Sequence, residues 1–279
     1  NTNYPVRILG LHQEGPVEVF VDETAGFFAG KRFTDFAVNS KKEVFFSRDN
    51  YIYKVIANKN YQIIAGTNTG IDADGLPANE TKLNGVFDLN VGPDDELYFF
   101  DSTRGYAATR LRKIDKEGKV ITVIPETVIS NFLSEYNVKI AYAHIDAQKN
   151  IYLLDRSKKI ALYSEATKTL TPIAGINSSG YAGDGGPATA AALKSPRAMT
   201  TDVNGDLYIS AGKTIRKIDA ATKIISTVIG IDESNTTKMS EFKSKYNQFD
   251  WLEQLTHKNG DLIYSTQLGE IKRVNENGQ

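Results

Sequence analysis

The sequence predicts an all-β fold, a five-bladed β-propeller of four-stranded antiparallel blades. Three observations carry that reading. Five short aromatic runs recur at a near-constant interval, similar neighbouring runs accompany each of them, and the two ends of the chain hold complementary pieces of one unit.

Taken in order, Pro5-Val-Arg-Ile-Leu-Gly10 stands alone at the N-terminus and reads like the last strand of a unit. The aromatic runs are Glu43-Val-Phe-Phe-Ser47, Glu96-Leu-Tyr-Phe-Phe100, Asn150-Ile-Tyr-Leu-Leu154, Asp206-Leu-Tyr-Ile-Ser210 and Asp261-Leu-Ile-Tyr-Ser265, with starts 53, 54, 56 and 55 residues apart. Each is rich in β-branched and aromatic residues, too short for a helix and preceded by turn residues, so each reads as a second strand. Third strands follow, most with basic residues interleaved: Ile52-Tyr-Lys-Val55, Leu111-Arg-Lys-Ile114, Ile160-Ala-Leu-Tyr163, Ile215-Arg-Lys-Ile218 and Ile271-Lys-Arg-Val274. Fourth strands end at Gly66, Pro125, Gly175 and Gly230, and first strands such as Val86-Phe-Asp-Leu-Asn-Val91 precede the aromatic ones. The last unit stops after its third strand. Residues 5–10 are therefore expected to complete the last blade and remove an open sheet edge, making 1–279 one domain. Six blades is the alternative, if Gly10 to Phe33 holds further strands.

With 33 basic against 34 acidic side chains, the formal net charge of -1 supplies no global field for nucleic acid or an anionic bilayer. No run approaches the ~18 apolar residues of a membrane span. Asn1-Thr2-Asn3-Tyr4 lacks the basic-then-apolar order of a signal peptide, so the start reads as cytosolic or already processed. The absence of cysteine removes disulfides and thiolate chemistry.

Two connectors match each other closely: Gly70-Ile-Asp-Ala-Asp-Gly-Leu-Pro-Ala-Asn-Glu-Thr-Lys-Leu83 and Gly180-Tyr-Ala-Gly-Asp-Gly-Gly-Pro-Ala-Thr-Ala-Ala-Ala-Leu193. Asp-Gly-Gly-Pro offers an acceptor, positive φ and a fixed φ in succession, which suits a tight turn. The following Pro-Ala-x-x-Ala-x-Leu suits one helical turn packed on a blade. No Gly-Lys-Ser/Thr follows, so a structural connector is expected and not a phosphate cradle. With Ser195-Pro196-Arg197, Asp202-Val-Asn-Gly-Asp-Leu-Tyr208 and Ile215-Arg-Lys-Ile-Asp219, the pattern resembles the bacterial NHL-repeat β-propellers, most specifically in the second and fourth blades. The resemblance implies a propeller of usually six blades, from which five is a departure. It also implies several functions: metal-dependent lyases and lactonases, RNA-binding modules, and extracellular or sensor domains that bind proteins or glycans.

The residues narrow these. A zinc lyase needs several histidines, and this chain has only His12 in a connector, His144 near the end of a first strand and His257 in a turn. The calcium site of the lactonases implies carboxylates at first-strand openings, which here are Asp35, Asp88 and Asp250. No other cofactor is expected. The third-strand pairs (Arg112, Lys113; Arg216, Lys217; Lys272, Arg273) read as solvated surface or cross-strand ion pairs and not as an RNA face.

Loops joining second to third strands, and fourth strands to the next first strand, open on one face at the channel mouth. There the sequence places Arg48, Asp49 and Tyr51; Asp101, Arg104 and Tyr106; Asp155 and Arg156; and Arg197 and Trp251. Aromatics beside Arg and Asp suit sugar or peptide recognition. The expected function is a non-enzymatic, extracytoplasmic bacterial module that binds or adheres to a protein or glycan ligand, without nucleic acid or membrane insertion. The alternatives are a metal-assisted hydrolase or lyase at the channel mouth and a structural spacer in a larger assembly.

Overall fold

The computed structural model describes residues 7–10, 18–22, 35–56, 60–70, 72–102, 109–133, 140–230, 252–258, 260–266 and 271–275. Its strands form an all-β, five-bladed β-propeller with mostly four-stranded antiparallel blades. Blades one and two belong to one compact unit, Asn1–Phe132, and blades three to five to another, Leu133–Gln279.

In the first unit β1 (Arg7–Gly10) and β2 (Glu18–Asp22) make a two-stranded sheet. Blade one is β3 (Asp35–Val38), β4 (Val44–Arg48), β5 (Tyr51–Ile56) and β6 (Asn60–Ala65). Blade two is β7 (Phe87–Val91), β8 (Leu97–Ser102), β9 (Thr109–Ile114) and β10 (Val120–Ile124), followed by a seven-residue helix, α1 (Glu126–Phe132). In the second unit blade three is β11 (Ile140–Ile145), β12 (Ile151–Asp155), β13 (Ile160–Ser164) and β14 (Thr169–Ala174). Blade four is β15 (Pro196–Thr201), β16 (Leu207–Ala211), β17 (Thr214–Ile218) and β18 (Ile225–Ile229). Blade five is β19 (Leu252–Lys258), β20 (Asp261–Thr266) and β21 (Ile271–Asn275), three strands among the described residues. The sequence reading assigned residues 5–10 to this last blade. In the structure, β1 pairs with β2, from Arg7↔Asp22 to Gly10↔Glu18. The partners are close in sequence, so little loop entropy is lost in closing that hairpin.

Every residue of β4, β8, β12 and β16 is buried. That is why these second strands appear in the sequence as near-continuous apolar runs, with polar residues only toward their ends, and not as alternating ones. Blades one and two meet through Ala37, Phe45, Ile52, Leu89, Leu97 and Phe99. Blades three and four meet through Leu154, Ile160, Met199 and Ile209, and blades four and five through Ala198, Ile215, Leu252 and Leu262.

The glycines ending fourth strands are locks. Gly66, Gly175 and Gly230 have φ of +94°, +82° and +89°, and a Cβ there would lie 2.2, 2.0 and 2.2 Å from the carbonyl oxygens of Asn50, Lys158 and Lys213. Each fourth strand thus closes directly against the turn between strands two and three of its own blade. Only glycine fits both the dihedral and the approach.

Candidate functional site

The two matching connectors are docked in the same way. The first lies along β10: the Gly75 N–H donates to Val120 O at 3.0 Å, the Ala78 N–H to Gly118 O at 2.9 Å, and the Val120 N–H to Leu76 O at 3.0 Å. The second lies along β18, with the Gly185 N–H on Ile225 O at 2.9 Å, the Ala188 N–H on Lys223 O at 3.0 Å and the Ile225 N–H on Gly186 O at 3.0 Å. Single 3₁₀ turns at Ala78–Glu80 and Ala188–Ala190 bury their first alanine, and Leu83 and Leu193 are fully buried. The connector expected from the turn chemistry is the one observed.

Under each connector sits a fully buried third-strand arginine, which corrects the reading of these residues as solvated surface. Arg112 donates through Nη2 to Asp74 Oδ1 at 3.0 Å and through Nη1 to Asp101 Oδ2 at 3.2 Å. Arg216 donates through Nη2 to Asp184 Oδ1 at 2.7 Å and through Nη1 to Ala192 O at 3.3 Å. Burial pushes the Asp74 carboxyl up, but hydrogen bonds from Thr122 and Arg112 outweigh it and hold the group below the usual carboxylate range. Burial pulls the Arg112 guanidinium down. Strand alternation sends the neighbouring lysines to the opposite face. There Lys113 meets Glu96 at 2.8 Å and Lys217 meets Asp206 at 2.5 Å, with the ammonium groups 5.9 and 5.6 Å from the ring centroids of Tyr98 and Tyr208. These pairs are the cross-strand ion pairs that the sequence offered as one reading.

At the turn edge of the first unit, the residues expected to bind ligand are largely occupied in holding the turn. Arg48 is buried and reaches the exposed Asp49 at 3.5 Å. Asp49 has a φ of +54°, and its carbonyl accepts the Val86 N–H at 2.9 Å. Asn50 donates to Thr69 Oγ1 at 2.5 Å and accepts the Gly85 N–H at 2.8 Å, while the Tyr51 hydroxyl donates to Thr67 O at 2.7 Å. Asp101 is fully buried: it accepts the Asn84 N–H at 2.8 Å and takes Arg110 at 2.7 Å as well as Arg112. Arg104 and Tyr106 lie outside the described residues.

In the second unit Asp155 is buried, and its Oδ1 accepts the Lys159 N–H at 2.9 Å. Arg156, next in the chain, is exposed, and Arg197 is half-buried at the start of β15. Trp251 lies outside the described residues.

Of the three carboxylates considered for a cation, Asp35 and Asp88 share a joint between β3 and β7, and Asp250 lies outside the described residues. Asp35 accepts the N–H groups of Phe36 at 2.8 Å and Leu89 at 3.2 Å, and burial pushes its carboxyl up to about 6. Asp88, buried beside Leu89, has a φ of +55° at a bulge in β7. Among the described residues no group of three or more His, Cys, Asp or Glu side chains is placed to hold a metal ion. His144 lies in β11, bonded to Thr201 Oγ1 at 2.9 Å and stacked on Tyr152, and burial lowers it to about 4. His257 is inside β19 and not in a turn, stacked on Tyr208 with ring centroids 5.8 Å apart. His12 lies outside the described residues.

Residues 71–257 match the model of the teneurin NHL domain. The chain belongs to the teneurin NHL domain family. The match opens inside the first NHL connector and closes in β19, so all of the second connector, all but the first residue of the first and both buried arginines fall within it. Human teneurin-1 is 28% identical over 201 residues, covering 67% of this chain and 7% of that protein. This NHL chain therefore spans a small part of its curated relative. A structural genomics protein from Bacteroides thetaiotaomicron has the same fold, with a TM-score of 0.61 at 15% identity over 92% of this chain and 60% of its own. A chain of the nidogen/laminin complex has a TM-score of 0.56 at 11% identity, covering 96% of this chain and 84% of that one. Among the described residues no helix is long and apolar enough to cross a membrane.

Proposed function

We propose that this NHL propeller is a non-enzymatic binding module, taking a protein or glycan ligand at the edge formed by the second-to-third-strand turns and the blade connectors. The observation that carries the reading is how that edge is built. Its buried polar groups are spent on rigidity: Asp101 is clamped by two arginines, Asp155 is closed on a backbone N–H, and Asn50 and Tyr51 pin a connector. What faces outward, Asp49 and Arg156 among the residues named from sequence, is presented on a fixed frame. A fixed frame with exposed polar groups lowers the ordering cost of binding. Family membership points the same way, as does the presence of this fold in a nidogen/laminin complex. An extracytoplasmic, bacterial setting belongs to the same proposal. Arg104, Tyr106 and Trp251 remain candidates for contact in it.

The test is thermal unfolding against a panel of oligosaccharides and candidate proteins, since whatever binds the folded state alone raises its midpoint. A rise with one ligand, indifferent to chelator, supports the module. The second reading is a metal-assisted hydrolase or lyase, favoured by the placement of Asp35 and Asp88 at one joint. A midpoint that falls with chelator and ignores every ligand would replace the first reading with the second.

A further inference from the structure

At the turn edge of the second unit the described residues gather cations. Arg156, Lys158 and Lys159 occupy the turn between β12 and β13, Lys194 and Arg197 lie where the connector enters β15, and Lys213 is in the turn between β16 and β17. In an antiparallel four-stranded meander the end of strand two, the start of strand three, the end of strand four and the start of strand one share one edge. Contacts join them further. A Cβ on Gly175 would lie 2.0 Å from Lys158 O, the Ile176 N–H donates to Ala191 O at 3.1 Å, and a Cβ on Gly212 would lie 2.9 Å from Lys194 Cγ. The blade-three turn, the connector and the blade-four turn are one continuous surface.

Two carboxylates lie close by, one inside the blade-three turn itself and the other neutralised by the buried Arg216. Asp155 is buried against the Lys159 N–H, and Asp184 is held by Arg216 at 2.7 Å and the Thr227 N–H at 3.1 Å. Among the described residues no ion pair engages Arg156, Lys158, Lys159 or Lys194. On a chain of net charge -1 this is a local positive field, which attracts anions whatever the total. Its large exposed apolar side chain among the described residues is Ile176. Protein interfaces place aromatic or apolar anchors at their centre and keep charge to the rim, whereas among the described residues this edge is mostly cations, with Tyr181 beside Lys194 at Gly212. Spaced ammonium and guanidinium groups match a chain of repeated anions instead.

We propose that this edge binds an anionic polysaccharide, one carrying sulfate or uronate groups. The proposal rests on the turn-edge binding reading above and names its ligand class. The test is binding of the full chain to immobilised heparin and polygalacturonate, beside neutral dextran and poly-glutamate, at low and high salt. Binding to a charged polysaccharide and not to dextran is expected, weakening about tenfold or more as the Debye length falls from about 10 Å toward about 3 Å. Arg156→Gln/Lys159→Gln/Lys194→Gln is expected to weaken it by about tenfold again, or about 1.4 kcal/mol. Lys168→Asn/Lys223→Asn, at the opposite edge of the same blades, is expected to leave it unchanged, with thermal midpoints showing that both variants fold. Absent polysaccharide binding, full binding by the triple variant, salt-independent binding or tighter binding of poly-glutamate would overturn the proposal. If a neutral glycan or protein from the thermal screen binds parent and triple variant alike while polyanions bind neither, the binding module stands and its anionic ligand falls. If nothing binds in either experiment, both fall.

Discussion

Blades two and four carry the same connector and the same buried arginine, yet satisfy that arginine differently. In blade two Arg112 shares Asp101 with Arg110, adding Asp74 outside, so three charged groups with little or no exposure form one network. In blade four the positions matching Asp101 and Arg110 are Ala211 and Thr214, and Arg216 relies on Asp184 and the Ala192 carbonyl. Thr214 turns its hydroxyl to Ala211 O at 2.8 Å. In both blades one buried guanidinium holds the Asp of the connector's Asp-Gly turn, and the additional Asp-Arg pair belongs to blade two. A buried charge is tolerated when it is paired, and costs heavily when its partner is removed.

The largest effect expected from disturbing this pair of blades is that of Asp101→Ala. It leaves Arg110 and Arg112 without their shared acceptor and should cost about 3–5 kcal/mol, read as a lower urea midpoint at unchanged slope. A loss below about 1 kcal/mol would show that blade two does not depend on the network. The reciprocal graft sharpens the contrast: Ala211→Asp alone destabilises blade four, and adding Thr214→Arg restores about 1–3 kcal/mol of coupling.

The shared lock comes next. Gly175→Ala forces a Cβ to 2.0 Å from Lys158 O and should cost about 3–4 kcal/mol. Gly185, with a φ of +79° and nothing within 4 Å of a Cβ, should cost only about 1–2 kcal/mol when changed to Ala, the price of the dihedral alone. Equal losses, measured as thermal midpoints, would mean that close approach is not what selects glycine at strand ends.

Acidification separates two other positions. His144 titrates at about 4 when folded, against 6.5 for the free side chain, so below pH 6.5 the unfolded state binds more protons and stability falls. About 2–3 kcal/mol should be lost by pH 4, and His144→Gln should flatten that slope. Asp35 has the opposite sign. Its carboxyl, raised from 3.8 to about 6, is protonated first in the folded state, so acidification through that range adds stability. Asp35→Asn removes the gain and steepens the acid loss; a curve unchanged by either variant would refute both assignments.

The blades were legible because their signal is local. Aromatic runs such as Glu96-Leu-Tyr-Phe-Phe100 are strands by composition and length, and the glycines at 66, 175 and 230 mark the strand ends where the structure places them. The roles of polar side chains were less legible. Asp101 and Asp155 sit at turns where exposed ligand contacts are common, and nothing in their neighbours reveals that one is fully buried under two arginines and the other closed on a backbone N–H. The buried role of Arg112 and Arg216 had one available signal: both connectors that contain Asp-Gly precede the blades whose third strand reads Arg-Lys.

The five-blade reading, the strand order within each blade, the connectors and the glycines at strand ends came from the sequence by itself, because each follows from period, side-chain alternation and backbone dihedrals over a few residues. Only the tertiary structure decided that third-strand arginines turn inward while the adjacent lysines turn out, and that Asp101 is fully buried against Arg110 and Arg112. Those outcomes depend on partners as much as 38 residues apart, as for Arg112 and Asp74, and on which face of a strand a neighbouring chain segment covers. Burial and pairing at such distances are set by packing, which no local pattern encodes.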